Sequence, residues 1–360
     1  MGKLRQRIRY LRTEDDVQLA WSEIGAGPTL IKASNWLSHL EYELESPVWG
    51  HWIRFFGDHF RFLRWDERGC GLTDRDVHEL SFDHWLRDLE AVVAASEVDT
   101  PFALLGISSG AATCVAFAAR HPERVSRMIL YGGYARGWAH RDDSEREREH
   151  RAMLELMRIG WGKENPVFRQ VFTSRFIPGG SGAQIGWFNE LCRRTSSGEM
   201  AARLLEARSS VDVTRLLGAV KAPTLVVHSR DDEVCPISEA RRLAAGIPAA
   251  QFVELDSRNH ILLEDEPVLG ALSGGRPRFH GPRGPARRGS RLRPPHRPRA
   301  RGPRVDQPGA RQRRYRRDPG DQREDRPQPH LESFRQARGS DPSAGDRLRA
   351  RSRFPVLAGC

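Results

Sequence analysis

No stretch of this chain holds the roughly 18 consecutive apolar residues that a membrane-spanning helix needs, so no membrane partner is expected. The opening MGKLRQRIRYLRTEDD carries charge but no apolar core, so no secretory leader is expected. Cysteine is scarce. Cys70, Cys114, Cys192, Cys235 and Cys360 show neither CxxC nor paired spacing, which excludes a disulfide scaffold and a cysteine-built metal site. Free thiols in a reducing, cytoplasmic compartment are the expectation. No internal repeat is present. Lysine is missing from residues 271–360, although that stretch holds 24 of the 58 basic residues and only 8 of the 47 acidic ones. Its net charge is therefore +16, whereas residues 1–270 carry 34 basic and 39 acidic residues, a net −5. The overall +11 says nothing about the first 270 residues, and the chain reads as two objects.

Residues 1–270 are enough for one α/β domain with a substantial core. RQRIRYLR and VQLAWSEIG alternate apolar with polar residues, as half-buried strands do. PTLIKAS, RFLRWD, PFALLGI, RMILYGG, TLVVHS and QFVELD are short apolar runs suited to strands. SFDHWLRDLEAVVAASEV has helical spacing, and SSGAATCVAFAARHPERV predicts a small-residue helix able to pack closely on a sheet. Strands alternating with helices imply a mostly parallel sheet covered on both faces, with the two antiparallel strands at its N-terminal edge. Between RMILYGG and TLVVHS, residues 134–218 form a polar insertion. Two helical segments, REREHRAMLELMRIGW and SGEMAARLLEARSSVDVTRLL, are joined there by FIPGGSGAQIG. An insertion of that size between strands is expected to cap the strand ends.

The chemistry centres on Gly106-Ile107-Ser108-Ser109-Gly110, at the junction of a strand and a helix. A sharp strand-to-helix turn crowds its neighbours, so small residues are needed two positions either side of Ser108. The turn lifts the Ser108 hydroxyl above the sheet and aims the Ser109 N–H at a developing oxyanion. Serine needs a base to remove its proton. Asp231 and Asp232 follow TLVVHS, and His260 follows QFVELD, so all lie beyond strand ends at the sheet edge that holds Ser108. Their chain order, serine, acid, histidine, is the expected one. Taken singly, each has an ordinary reading as a solvated aspartate or a surface histidine. His228 lies inside an apolar strand and is expected to be structural.

Residues 18–268 resemble the α/β-hydrolase family. LLGISSGAA is similar to its nucleophile elbow, RWDERGCGLTD to the loop after its fourth strand, HSRDDEVCP to its acid loop and LDSRNHILLEDEP to its histidine loop. The resemblance implies Ser108 as nucleophile and His260 as base. It favours Asp232 over Asp231 as the acid, because Asp232 stands directly before Glu233-Val234-Cys235-Pro236. It also implies a second oxyanion donor after the third strand, where the family typically has His-Gly. Here Asn35-Trp36 stands in that place, so the donors are expected to be the backbone N–H groups of Ser109 and the Trp36 region. Asn35, Trp36 and Ile107 are expected to line the substrate pocket. Trp138, Trp161, Phe168, Phe172 and Trp187 are expected either to extend it or to form the core of the cap. No metal or organic cofactor is implied.

NWLSHLEYELESPVW, WDERGCGLTD and LYGGYARG are similar to a narrower group, hydrolase-like domains fused to bacterial LuxR-type regulators or nucleotide cyclases. The degenerate codons of Tyr315–Gly339, read one base late, permit a string that resembles the DNA-reading helix-turn-helix of LuxR-type regulators. A one-base frame change near Leu269–Gly274 of a GC-rich gene would account for the Arg/Pro/Gly-rich tail. The alternative is a genuine disordered basic arm. In either case the tail as written presents no helix to base edges, so sequence-specific DNA binding is not expected of it, only salt-sensitive contact with nucleic-acid phosphates. The expected activity is hydrolysis of a small-molecule carboxylic ester, thioester or lactone through an acyl-enzyme. The alternative is a ligand-sensing module whose DNA-binding domain is lost.

Overall fold

A computed structural model describes residues 5–266. The basic tail and the expected frame change near Leu269 lie outside them. Eight strands form one sheet: β1 (Arg7–Arg12), β2 (Gln18–Ile24), β3 (Thr29–Lys32), β4 (Arg61–Trp65), β5 (Phe102–Ile107), β6 (Val125–Tyr131), β7 (Thr224–Ser229) and β8 (Gln251–Leu255). Their order across the sheet is β1-β2-β4-β3-β5-β6-β7-β8. β1 pairs antiparallel with β2, and β2 antiparallel with β4, while every later pairing is parallel. β1 is exposed or half-buried at every position, which suits an edge, whereas β5 and β7 are buried at every position, as central parallel strands must be.

Helices α1 (Gly50–His59), α2 (Phe82–Ala95), α3 (Gly110–Arg120) and α8 (Ile237–Gly246) connect the strands. The Ser81 hydroxyl caps α2 by accepting from the His84 N–H at 3.3 Å, and Trp85, Leu86, Leu89, Val92 and Val93 form its buried stripe. Eleven residues, mostly small, form α3, and nine of them are buried. Gly110 explains why small residues matter here, since a Cβ on it would lie 3.0 Å from the Ser34 carbonyl oxygen. The register aligns Ile107 with Tyr131, Tyr131 with Val227 and Val227 with Val253. Four parallel strands therefore end side by side, and the loops that follow them share one edge of the sheet.

The insertion between β6 and β7 holds four helices rather than two: α4 (Ser144–Gly160), α5 (Val167–Phe176), α6 (Gly182–Thr195) and α7 (Gly198–Ala207). FIPGGSGAQIG joins α5 to α6, not the two segments expected. The missed signals are a ten-residue helix with Phe172 and Thr173 buried, and a capping box at Ser181 and Gln184 that starts α6 inside the glycine-rich stretch. The segment after α7 also departs from a helix. Short 3-10 turns at Arg208–Ser210 and Thr214–Ala219 replace it, and Asp212 accepts from the Thr214 N–H and hydroxyl at 2.9 and 2.6 Å.

Candidate active site

Ser108 follows the last residue of β5 with φ at +52°, a left-handed backbone that non-glycine residues adopt rarely. Its N–H donates to the Tyr131 carbonyl at 2.9 Å and its carbonyl accepts from the Ala111 N–H at 3.1 Å, so the turn is held from both sides. Gly106 is required by contact rather than by φ. A Cβ there would sit 2.6 Å from the Ala111 Cα and 2.9 Å from its nitrogen, both backbone atoms that cannot swing away. Gly106→Ala is expected to lower stability by about 1–3 kcal/mol, as overpacking does. A thermal melt checks this, and a melting temperature unchanged from the parent would mean the turn relaxes freely.

His260 is brought to the same place by β8 and Asp232 by β7. The His260 Nδ1–H donates to Asp232 Oδ2 at 2.6 Å. Asp232 Oδ1 accepts from the backbone N–H groups of Val234 and Cys235 at 2.8 and 3.0 Å. Burial alone would raise the Asp232 carboxyl, but the facing imidazole and these donors hold it below the ordinary aspartate value. Asp231 is exposed, whereas Asp232 is 5% exposed and is the one that His260 contacts. With the Nδ1 proton committed to the carboxylate, Nε2 is left as an acceptor, and it has no hydrogen-bond partner among the described residues. Ser108 and His260 line one cavity, although the Ser108 hydroxyl makes no direct hydrogen bond to Nε2 in this structure. His228 is fully buried, as a structural residue should be. Its Nε2 lies 2.9 Å from the Cys235 carbonyl and 3.6 Å from Asp232 Oδ2, so it buttresses the acid loop.

The histidine loop is tied down on two sides. Glu266 accepts from the Ser257 hydroxyl, the Asn259 amide and the Leu263 N–H at 2.5, 2.9 and 2.8 Å. From the insertion, the Phe176 carbonyl accepts the His260 N–H at 2.8 Å, and the Phe176 ring stands edge-on to the imidazole with centroids 5.1 Å apart. Phe176 was not singled out by sequence, because nothing local distinguishes it from other insertion aromatics.

The expected oxyanion donors, the N–H groups of Trp36 and Ser109, are unpartnered among the described residues, and Ser109 caps α3 at its N-terminus. Leu37 has φ at +64°, a second strained position beside the site. Lys32 donates to Asn35 Oδ1, and Asn35 Nδ2 donates to the Trp36 carbonyl at 3.2 Å, which together pin this loop. The Trp36 ring stacks on Trp161 at 5.9 Å and meets the edge of Phe172 at 4.9 Å.

Asn35, Trp36 and Ile107 all line the cavity that holds Ser108 and His260. Of the five insertion aromatics named from the sequence, Trp138 and Phe172 also line it, as do Tyr134, Phe176 and Phe188. Trp161 lies one layer back, and Trp187 stacks on Tyr42 at 5.1 Å. Phe168 packs near Lys163 instead. The five aromatics are therefore divided between the cavity wall and the packing behind it. Sequence also passed over Arg208 and Glu67, 141 positions apart. The Arg208 guanidinium lies 4.6 Å from the Trp85 ring and 5.8 Å from the Trp36 ring, and pairs with the buried Glu67 carboxylate, Nη2 to Oε2 at 2.5 Å. Among the described residues no group of His, Cys, Asp and Glu could hold a metal ion. Cys70, Cys114, Cys192 and Cys235 are free and buried, while Cys360 lies outside the described residues. None of the described helices is long and apolar enough to cross a membrane.

A strained serine between a buried strand and a small-residue helix, with histidine and aspartate loops beyond the next parallel strands, matches one architecture. This chain has the α/β-hydrolase fold. The sequence profile described as alpha/beta hydrolase fold matches residues 41–158, which takes in Ser108 and stops short of Asp232 and His260. The chain is similar to the AB hydrolase superfamily protein YisY of Bacillus subtilis (strain 168), 28% identical over 260 residues, 70% of this chain and 91% of that protein. It is equally similar, 28% over 269 residues, to the pyrrolizixenacetamide deacetylase of Xenorhabdus hominickii, covering 71% of this chain and 93% of that one. Among solved structures, an esterase from Exiguobacterium antarcticum superposes with a TM-score of 0.60 at 21% identity, over 70% of this chain and 91% of the esterase. The last likeness speaks for the hydrolase fold alone.

Proposed function

We propose that this chain is a serine hydrolase acting on a small-molecule carboxylic ester, thioester or lactone through an acyl-enzyme. The carrying observation is the buried 2.6 Å contact between His260 Nδ1 and Asp232 Oδ2, which orients an unpartnered Nε2 in the cavity that Ser108 lines. Ser108 attacks the carbonyl carbon as Nε2 takes its proton, and Asp232 stabilises the imidazolium. The N–H groups of Ser109 and Trp36 hold the oxyanion, so two donors serve despite the absence of His-Gly. Nε2 then returns the proton to the departing oxygen or sulfur, and water repeats the cycle on the acyl-enzyme to release the acid. The enzyme names of the relatives support this reading, as does the aromatic wall of the cavity, suited to an apolar acyl or alcohol group. The sensor reading rests on the departure at Asn35-Trp36 and on the tail, and the intact His260–Asp232 pair favours the hydrolase.

Treatment with a fluorophosphonate probe tests it. The folded protein is expected to become labelled at Ser108, and Ser108→Ala to stay unlabelled while giving the same circular dichroism spectrum. A folded parent that resists the probe would overturn the assignment and leave a binding pocket on a hydrolase fold.

A further inference from the structure

The cavity wall is mainly apolar, with seven Trp, Tyr and Phe residues in it, yet three arginines, Arg141, Arg175 and Arg208, also line it, and among the described residues no Asp or Glu does. Two of the three are already answered. Arg208 is paired with Glu67, and Arg175 donates to the Glu233 carbonyl at 2.9 Å with Glu149 3.6 Å away. Arg141 differs. Its Nε donates to the Arg136 carbonyl at 2.9 Å and its guanidinium lies 5.1 Å from the Tyr134 ring, but no carboxylate faces it among the described residues. The contacts at Nε and on the ring face fix the plane of the fork and leave both terminal nitrogens without an acceptor among the described residues. The neighbouring His150 does not add charge, because burial pushes its imidazole down to about 4. It stacks on Trp138 at 5.1 Å and acts as part of the aromatic wall.

A half-buried arginine held in one orientation, beside aromatic surface and with no internal anion, is a receptor for a planar anion. We infer that the site takes substrates with an apolar body and a free carboxylate, the carboxylate being held by Arg141. This deepens the proposed hydrolase reading by naming its substrate class: half-esters of dicarboxylic acids and related carboxylate-bearing esters, rather than neutral ones.

The test reads binding, so its failure is separable from a failure of catalysis at Ser108. Dissociation constants of 4-phenylbutyrate and the neutral 4-phenylbutanol are measured by calorimetry on the full chain, and on Arg141→Gln and Arg141→Lys. The parent is expected to favour the acid by roughly 10-fold or more, the range of a charge-assisted hydrogen-bonded pair. In Arg141→Gln the ratio should fall towards one through loss of acid affinity, and Arg141→Lys should recover part of it. A parent with no preference for the acid, or a preference that survives in Arg141→Gln, overturns the inference. Loss of ester turnover with the preference intact would instead count against the hydrolase reading alone.

Discussion

Asp232→Asn is expected to lower kcat for ester hydrolysis by roughly 10,000-fold with little change in KM, the size of effect that follows when a histidine base is held in the wrong tautomer. The reason lies in the two backbone donors at Oδ1. The Val234 and Cys235 N–H groups demand an acceptor there, so the asparagine must place its oxygen at that position. Its NH2 then faces His260 Nδ1, where the carboxylate stood. Nδ1 is forced to accept, the ring proton moves to Nε2, and the base has nowhere to receive the serine proton. Because shape and hydrogen-bond count are preserved, the variant should fold normally. Steady-state turnover of an aryl ester, with circular dichroism alongside, checks this. Asp231→Asn, at an exposed position, is the companion measurement and should retain parental kcat. A loss confined to Asp231→Asn would reassign the acid.

Arg208→Met carries the largest expected cost to stability, about 3–5 kcal/mol, because it strands the buried Glu67 carboxylate without a counter-charge. Burial already raises the Glu67 carboxyl with Arg208 present, and removal of the guanidinium takes away the chief opposing influence. The sign of the pH effect follows. A folded-state value above the unfolded one means that the native variant holds a proton the unfolded chain has released. Its stability should then fall as pH rises above about 4.5. Adding Glu67→Gln should remove that slope and recover much of the loss, since the buried anion is gone. Urea melts of the parent, both single variants and the double variant across pH measure all four corners. If Arg208→Met is as stable as the parent at neutral pH, Glu67 is not confined as described.

Most of what positions the site was legible in the residues themselves. Strand runs such as PFALLGI and TLVVHS announce themselves because parallel strands are buried on both faces, and GISSG announces itself because the turn tolerates so few side chains. Asp232 and His260 could be placed because each follows such a run. The insertion was less readable. Its aromatic and charged residues satisfy partners on distant segments, as Arg208 does with Glu67 and Phe176 with His260, and no local spacing encodes a partner more than eighty positions away. The four-helix count was missed for a related reason, since glycines that start α6 within a capping box look, in isolation, like a loop. Leu37 shows the opposite case, a strained backbone at a leucine, which no propensity rule would have chosen.

The bond from the His260 N–H to the Phe176 carbonyl bears on how such proteins are re-engineered. Grafting the insertion of one hydrolase onto the sheet of another is an attractive way to change selectivity, because the sheet carries the chemistry and the insertion carries the wall. In this chain the graft boundary would cut through the support of His260, the proposed base. Gly179 also donates from the insertion to Asn259 Oδ1 at 2.8 Å, one residue before the histidine. A donor segment that lacks matching acceptors and donors would leave the histidine loop without its support from the insertion, whatever pocket it brought. A functional chimera of this protein would therefore exchange the α5–α6 turn and the loop from Ser257 to Glu266 as one unit.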